Sequence, residues 1–356
     1  MNGLPVDQQE TLLSLYWRCG STLDSVCAAA LELNLFEIIS KAGGELSAAE
    51  IASHLPTQNE QAPEIIDRML HLLAAHSIVK CTVVHHDGDD DSVTRLYGLT
   101  PLSMCFLPDK EGISRAPLAA LFNDRAFLDS WKYLKDAVLE GGSPFQKANN
   151  GVGLFEYMGK NSRFAQIFDG AMQKTSTNFT REVLQHYKGF ENLKEIVDVG
   201  GGIGSTLNMI ISKYPGIKGI NFDLPHVIEK APIWPSVEHV QGDMFQSVPK
   251  GETIVIMRVL HNWSDEKCVK VLKNCLDVLP DFGKVIVIEM IPSESSETNI
   301  SSRVALSCDM IMFALTQGGK GRSQREFEAL AKKAGFESSK LACRTQELCV
   351  LEFYKN

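Results

Sequence analysis

The segment Asp198-Val-Gly-Gly-Gly-Ile-Gly204 constrains the fold more than any other part of this chain. An apolar run, Ile196–Val199, reads as a strand leading into it, and an apolar stretch with helical spacing follows. So many glycines in one place cost chain entropy on folding, so a bare structural turn is the weaker reading. What they provide is a tight strand-to-helix turn along which a ligand can approach the main chain. The amides at the start of the following helix add a partial positive field. A dinucleotide fingerprint, Gly-x-Gly-x-x-Gly, would need a third glycine where this chain has Ser205. The loop therefore suits a nucleoside without a pyrophosphate better than it suits NAD.

The rest of the second half agrees with that loop. Short apolar runs at Ile196–Val199, Ile217–Phe222, Glu238–Val240, Ile254–Met257 and Val285–Ile288 are separated by helix-length segments. Such alternation predicts a parallel sheet of βαβ units. Phe327–Ala334 reads as a closing helix and Leu348–Phe353 as a last strand. Ligands of open α/β folds gather at the carboxyl ends of the strands. Two acids stand there: Asp223, about 20 residues past the loop, where a carboxylate can accept ribose hydroxyls, and Asp243 after the third strand. Asp243 is placed to accept an adenine amino group, with Met244 on the ring face. Gly200, Gly202, Asp223, Asp243 and Met244 are thus candidate cofactor contacts. Each acid alone would pass for a loop cap; both at successive strand ends are harder to dismiss.

The first third predicts a different kind of domain. Apolar residues recur at helical spacing from Leu12 to Leu35, Ser47-Ala-Ala-Glu50 is a capping box, and Pro63 opens the periodic stretch Ile65–Leu73. Ile78–His85 and Thr94–Leu99 read as a hairpin around Asp87-Gly-Asp-Asp-Asp91. Helix, helix, hairpin is a winged-helix order, whose usual work is DNA binding. Four aspartates in the wing and a net charge of −9 exclude that work here, because a nucleic-acid binder needs a positive field. A winged helix used for dimer contacts is the better reading. The stretch from Pro117 to Tyr187 is again helical, broken at Gly141-Gly-Ser-Pro144, and the expected domains are 1–116 and 117–356. Nine cysteines, an odd number without a Cys-x-x-Cys pair, imply free thiols and a cytoplasmic setting. The polar start and the lack of a long apolar run predict neither a leader nor a membrane span.

Val197-Asp-Val-Gly-Gly-Gly202, Ile220-Asn-Phe-Asp-Leu-Pro-His226, Gly242-Asp-Met-Phe245, His261-Asn-Trp-Ser-Asp265 and Gly318-Gly-Lys320 occur in this order. Together they resemble the plant caffeic-acid-type O-methyltransferase family across nearly the whole chain. The resemblance implies a Rossmann-like α/β methyltransferase domain that binds S-adenosylmethionine and releases S-adenosylhomocysteine. It implies a mainly helical, winged-helix-like N-terminal dimerisation domain, a homodimer, a small phenolic substrate and no metal. Its catalytic base falls on His261, which follows a strand and so lies at the same sheet edge as the loop. An imidazole there can take a phenol's proton as the hydroxyl attacks a sulfonium methyl. Glu289, ending the next strand, falls where the family has a carboxylate that orients the base. Leu224, Met257 and Arg258 fall on further cofactor positions. Asn123, Leu154, Phe164, Phe168, Met172, Thr175, Asn262, Cys308, Ile311, Met312 and Thr316 fall on the substrate pocket, although residues of these types are as often plain core.

The chain departs from the family at three positions. A second base-orienting glutamate is replaced by Gly321, an aspartate beside the base by Asn262, and a cofactor-contacting lysine by Met257, with Arg258 next to it. These departures keep an alternative open: a methyltransferase-derived protein with lost or altered transfer. The intact loop, His261 and Glu289 argue for an active enzyme, and a labelled-methyl assay separates the two.

Overall fold

The computed structural model describes residues 6–85, 93–295 and 297–356. The chain divides after Asp124 into two compact units. The boundary expected after residue 116 differs from this division by the helix Ala116–Phe122, which belongs with the first unit.

In the first unit, β1 (Leu46–Ser47), β2 (Val79–His85) and β3 (Val93–Leu99) form a sheet in the order β1-β3-β2. The expected hairpin is present as the antiparallel β2–β3 pair, while its acidic turn lies outside the described residues. Leu12–Leu35 is not one helix. It breaks at Cys19 between Val6–Arg18 and Gly20–Glu32, and left-handed Asn34 (φ 54°) starts a third helix, Leu35–Ala42. The capping box of Ala48–Ser53 forms as read: Ser47 N–H donates to Glu50 Oε2 at 2.7 Å, and Glu50 N–H donates to Ser47 Oγ at 3.3 Å. Leu35, Phe36, Ile51, Leu70, Leu73 and Tyr97 make the core of this unit. Helix Val6–Arg18 instead exposes Leu12, Leu15, Tyr16 and Trp17, the last by 74%.

The second unit is built on seven strands: β4 (Glu195–Val199), β5 (Lys218–Asp223), β6 (Val237–Gln241), β7 (Thr253–Met257), β8 (Lys284–Glu289), β9 (Ser338–Arg344) and β10 (Cys349–Tyr354). Their order is β6-β5-β4-β7-β8-β10-β9. The five strands read from the sequence all pair in parallel, and β10 is inserted antiparallel to β8 and β9. β9 was not anticipated, because its side chains alternate exposed and half-buried at a sheet edge and give no apolar run. The inner strands β4, β7 and β8 are buried almost throughout and mostly apolar because helices cover both faces. Helices Asp265–Val278 and Gln324–Ala334 pack on the face of Val197, Ile254, Ile256 and Val285. Ser162–His186 and Ser205–Lys213 pack on the face of Ile196, Val255 and Ile286. One buried acid fixes the far end of the sheet. Burial pushes the Glu352 carboxyl up, but hydrogen bonds from Lys284, Tyr187, Tyr354 and Lys340 outweigh it and hold it at about 2.

The order of strand addition reverses between the parallel neighbours β4 and β7: the strands step one way from β4 to β6 and the other way from β7 onward. The crevice at such a switch point, beyond the carboxyl ends, is where an open α/β sheet binds its ligand. Among the described residues no helix is long and apolar enough to cross a membrane.

Candidate active site

Two parallel neighbours deliver the central pair of side chains to that edge. β7 and β8 run in register with Met257 opposite Ile288. Glu289 closes β8, and His261 sits in the 3-10 turn Leu260–Asn262 that follows β7. His261 Nδ1 lies 2.7 Å from Glu289 Oε2, and His261 backbone N–H donates to Oε1 at 3.2 Å. One carboxylate therefore holds both the ring and the main chain of the same residue. Glu289 is 1% exposed, so an ionised carboxylate there requires such partners. With Glu289 as acceptor, Nδ1 carries the hydrogen and Nε2 is left with its lone pair.

The glycine loop follows β4, the strand next to β7. Gly200, Gly202 and Gly204 have φ of 74°, 61° and 83°, a region L-residues rarely adopt. Gly200 N–H donates to Phe222 O at 2.8 Å, which ties the loop to β5. Gly202 N–H donates to Asp223 Oδ2 at 2.8 Å, and Leu224 N–H to Asp223 Oδ1 at 2.7 Å. Asp223 thus comes to the loop as expected, each oxygen keeping a lone pair for another donor. A Cβ on Gly202 would meet nothing within 4 Å, so that face of the loop is an open cradle. Gly201 faces the opposite way, its Cβ position only 2.2 Å from Asn221 Oδ1 and 2.6 Å from Asp198 Oδ2. Among the described residues neither of those buried oxygens has a hydrogen-bond partner. Burial, and then the charge of Asp223, push the Asp198 carboxyl up to about 7. Asp243 Oδ1 accepts Phe245 N–H at 2.9 Å, while Asn274 ties down the Met244 carbonyl at 2.7 Å. An open backbone cradle, a carboxylate with spare lone pairs and a half-buried Met244 fit the nucleoside and ribose of S-adenosylmethionine.

Met257 and Arg258 point to different surroundings. Met257 Sδ lies 3.8 Å from Thr180 Oγ1 and 4.0 Å from Thr206 Oγ1, beside the helix that the loop opens. Arg258, left-handed at φ 55°, carries its guanidinium 4.7 Å over the Phe179 ring. Burial lowers its pKa against the opposing influence of Glu289, Cys308 and Glu347.

The expected substrate positions fall into groups. Phe164, Phe168, Met172 and Thr175 share one face of helix Ser162–His186. Phe164 is fully buried against Tyr157 and Phe145, and Leu154 is buried nearby in the sequence, whereas Phe168, Met172 and Thr175 are half-buried. Cys308, Ile311 and Met312 are half-buried on helix Ile300–Leu315, and Thr316 caps its end with Oγ1 on Met312 O at 2.7 Å. Asn262 shares the turn of His261. Asn123 ends the helix Ala116–Phe122 of the first unit. Gly321 N–H donates to Asp309 Oδ1 at 2.7 Å.

Three residues escaped the sequence reading. Asn221 bridges Gly202 O (2.9 Å) and His239 Nδ1 (3.1 Å). Asp198 looked like the loop's first residue rather than a buried acid. Arg322 is wholly buried behind the His261 turn. An arginine directly after a glycine-rich stretch and before the capping serine Ser323 was its only signal. Among the described residues no group of His, Cys, Asp and Glu could hold a metal ion.

Residues 131–337 match the O-methyltransferase domain family, and residues 19–109 match the O-methyltransferase dimerisation domain. Solved structures of the same fold include human N-acetylserotonin methyltransferase in complex with SAM (22% identity, TM-score 0.81, covering 100% of this chain and 99% of that one). Another is the methyltransferase of calicheamicin biosynthesis in its SAH-bound form (24% identity, TM-score 0.80, 98% and 99% covered). Fold and site thus define an S-adenosylmethionine-dependent O-methyltransferase with its own dimerisation domain. Caffeic acid 3-O-methyltransferase 1 of Populus tremuloides is 47% identical over 98% of this chain and 95% of its own length. The caffeic acid 3-O-methyltransferase of Prunus dulcis is 49% identical over the same shares. The chain belongs to the caffeic-acid-type O-methyltransferase family.

Proposed function

We propose that this enzyme methylates a phenolic hydroxyl of a small aromatic molecule, with His261 as general base and Glu289 as its orienter. The observation that carries this reading is the 2.7 Å contact between His261 Nδ1 and Glu289 Oε2 at the carboxyl edge of the sheet. S-adenosylmethionine, when bound, supplies a methyl group already activated as a sulfonium. What the chain must supply is therefore positioning and a proton acceptor. A free phenol has a pKa of about 10 and stays protonated at neutral pH. His261 Nε2 accepts that proton as the oxygen attacks, and Glu289 stabilises the imidazolium that forms. Gly200, Gly202, Asp223, Leu224, Asp243 and Met244 hold the cofactor, and Met257 and Arg258 border it. Phe168, Met172, Ile311 and Met312 hold a flat ring by apolar contact.

The chain works as a cytoplasmic homodimer without a metal. The exposed Leu12, Leu15, Tyr16 and Trp17 support a partner surface on the first unit, and nine free thiols fit a reducing compartment. Incubation with labelled S-adenosylmethionine and a panel of catechols and simple phenols, headed by caffeic acid, tests the activity. Transfer to a hydroxyl, unaffected by a chelator, is the expected result. Absence of transfer to every phenol, or loss of transfer on chelation, would sink the reading.

A further inference from the structure

The turn that carries His261 is short and offers little hydrogen bonding of its own. It is a single 3-10 turn, Leu260–Asn262, and its carbonyls look toward a neighbouring loop. Two of them, and the carbonyl of Trp263 just beyond the turn, are taken by Lys320 and Arg322 of that loop. Lys320 N–H donates to His261 O at 2.9 Å. Arg322 Nη1–H donates to Leu260 O at 3.0 Å, and Arg322 Nη2–H donates to Trp263 O at 2.6 Å. The two nitrogens of one guanidinium thus grip the carbonyl just before His261 and one just after it. Nε–H and Nη2–H also reach Asp265 Oδ1, at 3.0 and 2.9 Å, and Asp265 is the first residue of helix Asp265–Val278. Nη1 makes a further long contact of 3.5 Å with Lys320 O. Arg322 is 0% exposed.

A buried guanidinium is costly unless its donors are matched, and here they are shared between the carbonyls that flank the base and the carboxylate of Asp265. Core stability alone would be served as well by an apolar side chain of this size. The planar fork instead fixes two carbonyls at a set separation, which an ammonium on a flexible stem cannot do. We propose that Arg322 is a positioning residue of the methyl-transfer reaction: it holds the turn so that His261 Nε2 keeps its direction toward the substrate hydroxyl. Asp265 sets the guanidinium in its plane. Glu289 orients the ring from one side of the residue, and Arg322 holds the backbone from the other. Neither Arg322 nor Asp265 touches the cofactor residues, so their effect is on the chemical step and not on cofactor capture.

This inference rests on His261 as the base. The test uses the full-length enzyme with the best phenol found in the panel, and compares Arg322→Lys, Arg322→Ala and Asp265→Asn. For the two Arg322 variants kcat should fall about 10- to 100-fold, the scale of a misplaced catalytic group, with the KM for phenol and the Kd for S-adenosylmethionine unchanged. Asp265→Asn should fall in kcat by less, again at constant KM. Methylguanidinium added to Arg322→Ala should restore part of the lost kcat and should do nothing for His261→Ala. Soluble, cofactor-binding protein is confirmed for each variant by calorimetric titration, so that lost folding is not read as lost turnover. If Arg322→Ala does not fold, Arg322→Lys and Asp265→Asn decide alone. Wild-type kcat in Arg322→Lys and Asp265→Asn overturns the proposal. So does a loss that appears in cofactor affinity with kcat intact. An active His261→Ala enzyme would instead overturn the base reading, a separate outcome.

Discussion

Gly321 donates its backbone N–H to the carboxylate of Asp309 at 2.7 Å, so the loop position at which the family carries a second orienting acid lies against an acid of helix Ile300–Leu315. A Cβ at 321 would stand 3.1 Å from Asp309 Cβ and 3.4 Å from Asp309 Oδ1. Restoring the family residue by Gly321→Glu therefore sets two carboxylates side by side, and each disfavours ionisation of the other. Gly321→Glu is expected to lower kcat or raise the KM for phenol, not to improve either. Gly321→Ala, which adds no charge, should stay within about 1 kcal/mol of wild-type stability. Steady-state kinetics and thermal melts check both; a faster Gly321→Glu enzyme contradicts this account.

His261→Ala removes the proton acceptor and should cut kcat by about 10²–10⁴-fold, with cofactor affinity unchanged. Glu289→Gln keeps the shape of the pair but can turn an amide N–H toward Nδ1, which favours the wrong tautomer. Its kcat should also fall. Single-turnover rates with labelled cofactor separate the chemical step from product release, and full activity in His261→Ala excludes it as base.

Asp223→Ala is expected to weaken S-adenosylmethionine binding by roughly 1.5–3 kcal/mol, the value of a hydrogen bond to a charged group. The same change frees Gly202 N–H, so the loop loses its anchor along with the proposed ribose acceptor. Calorimetric titration measures the loss; unchanged affinity removes Asp223 from the site.

Asp198 gives a pH dependence. Its carboxyl is raised to about 7 by burial and by Asp223, whereas in the unfolded chain an aspartate titrates at about 3.9. Between those values the unfolded state has released a proton that the folded state keeps, so this group's stabilising contribution declines as pH rises. It is fully present below about 4 and is lost by the time pH passes about 7. Asp198→Asn imitates the protonated form and should flatten that slope. Denaturant titrations of both proteins from pH 5 to 8 test it, and parallel slopes would show that Asp198 is ionised throughout.

The parts of this fold that were legible in the sequence are those whose signal is local. β4, β7 and β8 announce themselves because a strand covered on both faces is a nearly continuous apolar run. The Ser47–Glu50 box is legible because both partners lie in one turn. β9 was not, since a sheet edge asks only for alternation, and Ser338–Arg344 alternates weakly. The break at Cys19 was missed because the residues on both sides continue the helical spacing. In the site, His261 and Glu289 were found through the family resemblance, and their positions at strand ends agree with it. Arg322 was not, because its partners Leu260 O and Trp263 O are backbone atoms, which leave no mark in a sequence. The orphaned oxygens of Asp198 and Asn221 are a property of burial and packing that spacing cannot report.

The register that sets Met257 opposite Ile288 has a bearing on how such an enzyme changes over time. His261 and Glu289, the proposed base and its orienter, leave from two adjacent inner strands, so their separation is inherited from the sheet. Helices Ser162–His186 and Ile300–Leu315, which carry most of the positions proposed to hold the ring, lie outside it. Substitutions along those helices can recut the pocket for another aromatic while the proton-accepting pair stays as it is. Substrate range and chemical competence are thus separately mutable in this architecture.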